Sequence, residues 1–367
     1  MSKPPIPKYV GPLGFFRRLR RSPPERILLT FLFLLKILFP FPAYFGEWLF
    51  RSQKIEAASI QNPPIFILGH YRSGTTLLHK LLAHHPNWGY LDGLDNLLPH
   101  FSPSWQKMLA PLLRGIIEAL DIKHPHFHNY RFRLDDPIEE EVYLIYAGSP
   151  YSAYWGFVFP RRWKDYLHRY IFFRNQEERE NWKAAYLYLL KKSTLKHGGK
   201  RLVLKNPPNT GRIRALLELF PEAKFVFLHR NPYFLFYSTE YLFREVAGKY
   251  YSLQHITPAE RETLIFRHYR ALMELYEKEK ALIPAGNLYE LGYEKLLAHP
   301  EEEIRKIFVH LKLDAFDKLQ TELRKRLASE KKYSTKKYCF NRQQLDKIYR
   351  EWGCYIDQWN YARPDPN

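Results

Sequence analysis

Cysteine is almost missing from this chain: of 367 residues only Cys339 and Cys354 carry a thiol. That rules out a disulfide framework, leaves room for one bridge near the C-terminus, and suits a reducing compartment. Acidic residues are also short, 38 against 57 lysines and arginines, giving a formal charge of +19. Such an excess points to anionic partners: nucleotides, a membrane surface or nucleic acid. A further lack argues against the last of these, since there is no zinc-finger spacing, no aromatic RNA-binding signature and no heptad-bearing basic helix. Nor is there an internal repeat or an extended low-complexity tract. What remains is a chain long enough to bury a substantial core, as one large domain or as a core with an inserted subdomain.

The most telling lack is a single lysine. Ile65 to Leu82 reads IFILGHYRSGTTLLHKLL. A short apolar run breaks at a glycine, passes a polar loop and becomes helical in pattern. This predicts a strand, a loop and a helix N-terminus, the arrangement that cradles phosphate. A Walker A loop reads G-x-x-x-x-G-K-[ST], its lysine reaching the terminal phosphates and its hydroxyl holding magnesium. Gly69 and Gly74 keep that spacing, but Thr75 stands in the lysine's place, and the loop's cation is Arg72 on the other side of Gly74. The segment therefore has no apparatus for a magnesium-bound triphosphate. Backbone N–H groups, the hydroxyls of Ser73, Thr75 and Thr76, and one guanidinium suit a smaller anion. Taken alone, the segment is equally an ordinary strand-to-helix turn that needs glycine.

The N-terminus is basic and then apolar. Residues 1–26 are rich in proline and arginine, including Arg17, Arg18, Arg20 and Arg21, and Ile27 to Phe45 is interrupted chiefly by Thr30 and Lys36. It lacks the small-residue cleavage site of a secretory signal. Pro40 and Pro42 limit a helix to about Ile27–Phe39, roughly 20 Å long and short of the ~30 Å hydrocarbon core. The expectation for residues 15–50 is a monotopic or re-entrant anchor with its basic flank on anionic headgroups. A kinked full span and a buried packing helix are the alternatives. A cytoplasmic membrane face is the expected location, with a Golgi-type lumen as the alternative.

Further along, Ser52–Asn62 reads as linker, and residues 87–200 are aromatic and mostly helical in pattern. Arg201–Lys205 (RLVLK) is a second apolar run with the length and flanks of a buried strand, Phe225–Leu228 reads as a third strand, and Asn287–Leu291 (NLYEL) as a fourth. Strands separated by helices predict a parallel sheet with right-handed crossovers, whose ligands sit at the C-terminal strand ends. The loop at 69–76, Lys205 and Arg230 all lie at such ends. Arg230 leaves the third strand and Ser238 follows about two helical turns on, able to grip one phosphate from two sides. Alternatively, the arginine merely caps the sheet and the serine sits on a helix face.

As a set, these motifs are specific. RSGTT after one strand, LK-P after a second, and HR-P with Arg-x7-Ser after a third resemble the sulfotransferase family, in the branch with an arginine rather than a lysine in the first loop. The stretch Leu202–Ser238 resembles that branch along nearly its whole length, and the similarity spans roughly residues 63–345. The resemblance implies an α/β fold of P-loop type, three α/β/α layers around a central parallel sheet, with a helical acceptor-side insertion at 87–200. A sulfotransferase domain at 63–345 would follow the N-terminal segment and linker (1–62) and precede a C-terminal tail (346–367). It further implies an enzyme using 3′-phosphoadenosine 5′-phosphosulfate, without a metal, to sulfate a hydroxyl or amine by in-line displacement. Arg72, Ser73, Gly74, Thr75 and Thr76 would hold the 5′-phosphosulfate, and Arg230 with Ser238 the 3′-phosphate. Lys205 matches the family's strand-end lysine and would stabilise the leaving oxygen; its alternative is a lysine snorkelling off a strand end.

Relatives place a glutamate before an apolar pair and a proline after the first helix. Asp95 occupies that place in DNLLP as the general base, one methylene shorter, with Asp92 as the fallback; either would otherwise cap a local helix. Lys336 and Tyr338, in YSTKKYCF, match a segment that closes over the nucleotide in relatives. The aromatic stretch Tyr143–Trp163 is either the core of a helical subdomain or a pocket for a lipid-like acceptor. Asp135-Asp136-Pro137 with Glu139, Glu140 and Glu141 reads as a helix start. His124, His126 and His128 lack companion ligands at zinc spacing. A P-loop kinase and a membrane-docked nucleotide-binding protein without turnover are the competing readings.

Overall fold

The computed structural model describes residues 12–121, 123–124, 127–131, 133–329 and 338–366. The chain opens with helices α1 (Pro12–Arg21), α2 (Ile27–Leu38), α3 (Phe41–Phe50) and α4 (Ser52–Ala57), followed by β1 (Ile65–Leu68) and α5 (Thr75–Leu82). Then come β2 (Trp88–Gly89), α6 (Gly93–Leu97), α7 (Pro103–Ala119), a hairpin of β3 (Lys123–His124) and β4 (Phe127–Arg131), and α8 (Glu140–Tyr146). Strands β5 (Arg201–Lys205), β6 (Lys224–His229) and β7 (Leu288–Gly292) complete the central parallel sheet of five, β1, β2, β5, β6 and β7. The fold is α/β, as the alternation of strands and helices predicts.

The chain forms two compact units. One takes the chain up to Pro63, Trp88–Leu204 and Glu245–Ile256; the other takes Pro64–Asn87, Lys205–Arg244 and the chain from Thr257 on. In the second unit β1 pairs with β6 and β6 with β7, all parallel, so that Leu68 lies beside Phe227 and His229 beside Gly292. The register brings the C-terminal ends of these strands to one edge. Ile65 to Leu68 and Phe225 to Leu228 are buried throughout, which explains their unbroken apolar runs: a strand covered on both faces shows no alternation. Phe227 stacks on Tyr276 at 3.8 Å between ring centroids.

In the same unit the helix Arg342–Gln358 runs through the point where the sequence reading begins a tail. Its Trp352 is fully buried, 4.2 Å from the Tyr269 ring. Such a helix is invisible to the motif, because its apolar residues are spaced to face a partner far along the chain. Tyr338 packs near Tyr237, on the helix Pro232–Tyr241 that carries Ser238. Lys336 and His126 lie outside the described residues.

The first unit is held by aromatic packing. Phe15 of α1, Phe33 of α2, Trp155 and Phe159 form one cluster, with Phe15 and Phe33 stacked at 5.3 Å. The Arg18 guanidinium lies 4.5 Å from the Trp155 ring centroid. Much of Tyr143–Trp163 is therefore spent as core, the plainer of its two readings. Along α2, Thr30, Phe33 and Ile37 face this core, while Ile27, Leu28, Phe31, Leu32 and Leu35 are exposed. Ile27–Phe50 is apolar and long enough to cross a membrane by length and composition. A turn at Phe39-Pro40 nonetheless ends α2 where the prolines predicted.

Two local expectations change. Ser52–Ala57 is helical rather than linker, its Ile55 buried. Pro137 is not at a helix start: it bridges to Asp92 in extended form, and α8 begins at Glu140. Glu140 and Glu141 are then fully buried, accepting hydrogen bonds from the Tyr186 hydroxyl, the Ser152 hydroxyl and the Ala153 N–H.

Candidate functional site

At the end of β1 the chain turns through six residues, three of them with positive φ: Gly69 (141°), Arg72 (70°) and Gly74 (95°). Alternation of hand along a turn points successive N–H groups to one side and makes an anion-binding concavity. Glycine is needed at both ends of the turn. A Cβ at Gly69 would stand 2.5 Å from the Leu228 carbonyl oxygen, and one at Gly74 would be driven into the Tyr293 ring. α5 starts directly after Gly74, whose carbonyl accepts from the N–H groups of Leu77 and Leu78. The N–H groups of Thr75 and Thr76 precede the first intrahelical bond and face outward from the helix end.

Chain segments far apart in sequence close around this loop. The Lys205 ammonium donates to Thr76 Oγ1 at 3.1 Å, and Lys205 is only 2% exposed. Arg72 Nε donates to Ser238 Oγ at 3.0 Å, and Arg230 Nη1 donates to the Arg72 carbonyl at 2.9 Å. The Arg230 guanidinium sits 4.8 Å from the Tyr293 ring centroid, and its Nε is buried with no hydrogen-bond partner among the described residues. The seven residues expected to bind the donor, with Lys205, thus lie in one unit and one hydrogen-bonded neighbourhood. Three cations, the hydroxyls of Thr75, Thr76 and Ser238, and a concave run of N–H groups fit an anion charged at both ends. The orphaned Arg230 Nε is a donor awaiting an acceptor.

Some contributors were not foreseen. Thr210 Oγ1 accepts from the Gly69 N–H at 2.8 Å and donates to the Gly69 carbonyl at 3.2 Å, clamping the loop's first residue. Tyr293 walls Gly74 and supports Arg230. Neither residue has a sequence signal beyond its place after a strand. Ser73 is partly spent on the loop itself, since its hydroxyl donates to the His70 carbonyl at 2.7 Å. Burial lowers the pKa of His70 to about 4, against the opposing effect of its bond to the Tyr71 carbonyl. It is neutral at physiological pH and adds no charge to the site.

The two expected base residues lie in the other unit. Asp92 caps α6 by accepting from the Asp95 N–H at 2.9 Å, and Asp95 accepts in return from the Asp92 N–H at 3.2 Å. Both capping and a charged cluster are realised here. Lys196, at the end of the helix Gln176–Lys196, reaches both carboxylates at 2.8 Å. Gln106 Nε2 donates to Asp95 at 3.1 Å. Burial, reinforced by the Asp95 charge, raises the pKa of Asp92 to about 6 against the pull of Lys196. Asp95 and Lys196 line a narrow cleft with Leu91, Phe101, Tyr143 and Leu189.

The raised Asp92 has a consequence for stability. Between about pH 4 and 6 the folded state holds this proton more tightly than the unfolded state, so the group's contribution falls as pH rises through that window. Replacing Lys196 with methionine removes the compensating charge and extends the window upward. Lys196→Met is expected to cost about 3 kcal/mol at pH 8, in the range for breaking a buried pair, and distinctly less at pH 5. Thermal melts at the two pH values test this; equal losses at both would count against the coupled cluster.

Comparisons with known proteins follow the same lines. Residues 63–318 match the profile of the Sulfotransferase family. Omega-hydroxy-beta-dihydromenaquinone-9 sulfotransferase Stf3 is 32% identical over 317 residues, 86% of this chain and 79% of that protein, in both Mycobacterium tuberculosis and Mycobacterium bovis. Among solved structures, sulfotransferase STF9 from Mycobacterium avium superposes with a TM-score of 0.68 at 18% identity, covering 97% of this chain and 88% of its own. Sulfotransferase STF1 from Mycobacterium tuberculosis gives 0.65 at 21% identity, covering 86% and 84%. At those identities the two structures speak for the fold.

Proposed function

We propose that this chain, which belongs to the sulfotransferase family, moves a sulfonate group from 3′-phosphoadenosine 5′-phosphosulfate to a hydroxyl of a hydrophobic acceptor, an amine being the other nucleophile of suitable chemistry. The reading rests above all on the hydrogen bond from Lys205 to Thr76, which ties the strand-end lysine to the anion loop. Arg72, the N–H groups from Gly74 to Thr76 and the threonine hydroxyls are assigned to the 5′-phosphosulfate; the Ser73 N–H is spent on the His70 carbonyl. Arg230, through its unpartnered Nε, and Ser238, whose oxygen already accepts from Arg72 and whose O–H remains to donate, are assigned to the 3′-phosphate. No lysine follows Gly74 because one phosphate and one sulfonyl present no β/γ pair for a metal to bridge. The same substitution disfavours a kinase.

The donor supplies a sulfonyl group on a phosphate leaving group. As the acceptor oxygen bonds to sulfur, the bond from sulfur to the bridging oxygen breaks and 3′,5′-adenosine bisphosphate departs. In this scheme Lys205 neutralises the charge that builds on that oxygen, while Arg72 and the loop hold the equatorial oxygens in line. The acceptor's proton passes to Asp95, whose carboxylate Lys196 and Gln106 hold in place. Residues 63–345 carry the reaction, with 87–200 on the acceptor side.

The acceptor class follows from two observations. The mycobacterial relative is named for a hydroxylated menaquinone, and α2 and α3 expose apolar side chains beside a basic α1. On that basis residues 15–50 dock on an anionic membrane surface, at its cytoplasmic face, and the acceptor is a lipid. The donor assignment is tested by calorimetry with 3′,5′-adenosine bisphosphate against ATP with magnesium. Charge-assisted contacts to a 3′-phosphate are worth about 3 kcal/mol, so the bisphosphate should bind ~100-fold tighter. A preference for ATP would overturn the assignment.

A further inference from the structure

α7 has more apolar surface than its own packing needs. Ala110 and Ile117, flanked by Leu109 and Leu113, bury one side of it against Leu94 and Leu98 of the α6 segment. On an adjacent side Trp105, Met108, Leu112 and Ile116, spaced 3, 4 and 4 residues apart, form a second stripe left in solvent. At 100° per residue these four fall on one face, with Lys107, Arg114 and Glu118 on the far side. Isolated apolar residues on a surface need no explanation, but a continuous helical stripe does.

Next to the first turn of this helix lies a wider cleft, lined by Glu47, Arg51, Lys54, Ile55, Pro103, Lys192 and Leu195. Pro103 and Lys192 also line the inner cleft that holds Asp95, so the two cavities adjoin at these residues. Lys192 is fixed there by Glu47, the Pro99 carbonyl and the Tyr143 hydroxyl, leaving its alkyl stem as wall. The outer cleft is bordered by α3, which exposes Phe45, Leu49 and Phe50, and its cations Arg51 and Lys54 match anionic headgroups. Apolar faces with cations between them complement a lipid surface.

We propose that the two clefts form one acceptor passage, opening between α3 and the start of α7, by which a hydroxyl-ended apolar lipid passes from an anionic bilayer to Asp95. The stripe on α7 rests against the bilayer at the mouth, Leu195 and Ile55 line the outer chamber, and Phe101, Tyr143 and Leu189 line the inner one. This rests on the sulfotransferase reading, because that reading makes Asp95 the destination.

The test uses the full chain with phosphatidylglycerol vesicles containing a long-chain primary alcohol that carries a diazirine beside its hydroxyl. On illumination the label is expected in the peptide spanning Leu189 to Lys196. Leu195→Trp, which fills the outer chamber, should reduce that label about tenfold, equivalent to ~1.4 kcal/mol, without altering the affinity for 3′,5′-adenosine bisphosphate. Leu112→Asp should reduce labelling from vesicles but not from the same alcohol in detergent. Label outside residues 189–196, or insensitivity to Leu195→Trp, overturns the passage. Equal loss from vesicles and detergent in Leu112→Asp overturns the role of the stripe. Failure to bind the bisphosphate with normal labelling would instead remove the transfer reading and leave the passage standing.

Discussion

Lys205→Met is expected to lower turnover by about 10²–10³-fold, the loss typical of removing one preorganised donor to a developing charge, while binding of 3′,5′-adenosine bisphosphate stays nearly unchanged. The methionine keeps the apolar stem of a side chain that is 2% exposed, so the packing survives and only the ammonium is lost. Lys205 meets the loop through Thr76. Its charge therefore matters most when negative charge accumulates on the leaving oxygen, and least when product merely sits in the site. Single-turnover transfer from labelled donor, alongside calorimetry with the bisphosphate, separates the two effects. An affinity loss as large as the rate loss would make Lys205 a binding residue only.

Arg230→Ala should do the reverse. It is expected to weaken the bisphosphate by about 10²–10³-fold, since a paired guanidinium contributes two charge-assisted hydrogen bonds of 1.5–3 kcal/mol each. The structure adds a second reason. Arg230 braces the carbonyl of Arg72, a residue held at positive φ, and is itself supported by the Tyr293 ring. Without it the loop loses a constraint on its least comfortable residue. Arg230→Lys should recover only part of the loss, because an ammonium lacks the planar fork and the stacking face. Adenosine 5′-phosphosulfate, which has no 3′-phosphate, should bind Arg230→Ala and the wild type much more equally. If it suffers the same loss as the bisphosphate, Arg230 supports the loop and does not read the 3′-phosphate.

Much of the donor side was legible in the sequence because it is local. Three apolar runs predicted β1, β5 and β6, since a strand covered on both faces must be apolar throughout; β7, with Glu290 exposed, showed less of that signal. Gly69 and Gly74 marked the loop, since only glycine tolerates that backbone next to Leu228 and Tyr293. Pro40 marked the end of α2, since proline interrupts the helical ladder. The acceptor side was far less legible. The aromatic stretch Tyr143–Trp163 carried two readings with the same composition, and the rings of Phe15 and Phe33, contributed from the N-terminus, decided for core. Glu140 and Glu141 read as acids of a first helical turn, and they are, but nothing in the sequence showed that they are buried as acceptors from Tyr186 and Ser152.

The strand, the anion loop and the strand-end cations follow from short stretches of residues, because each depends on neighbours a few positions away. Long-range folding brings Lys205 to Thr76, Arg72 to Ser238, and Lys196 between Asp92 and Asp95. These contacts join positions more than a hundred residues apart, and sequence spacing carries no distance of that kind. The missing lysine after Gly74 was visible at once; the cation bonded to the loop's last hydroxyl is Lys205, brought in from another strand by the fold.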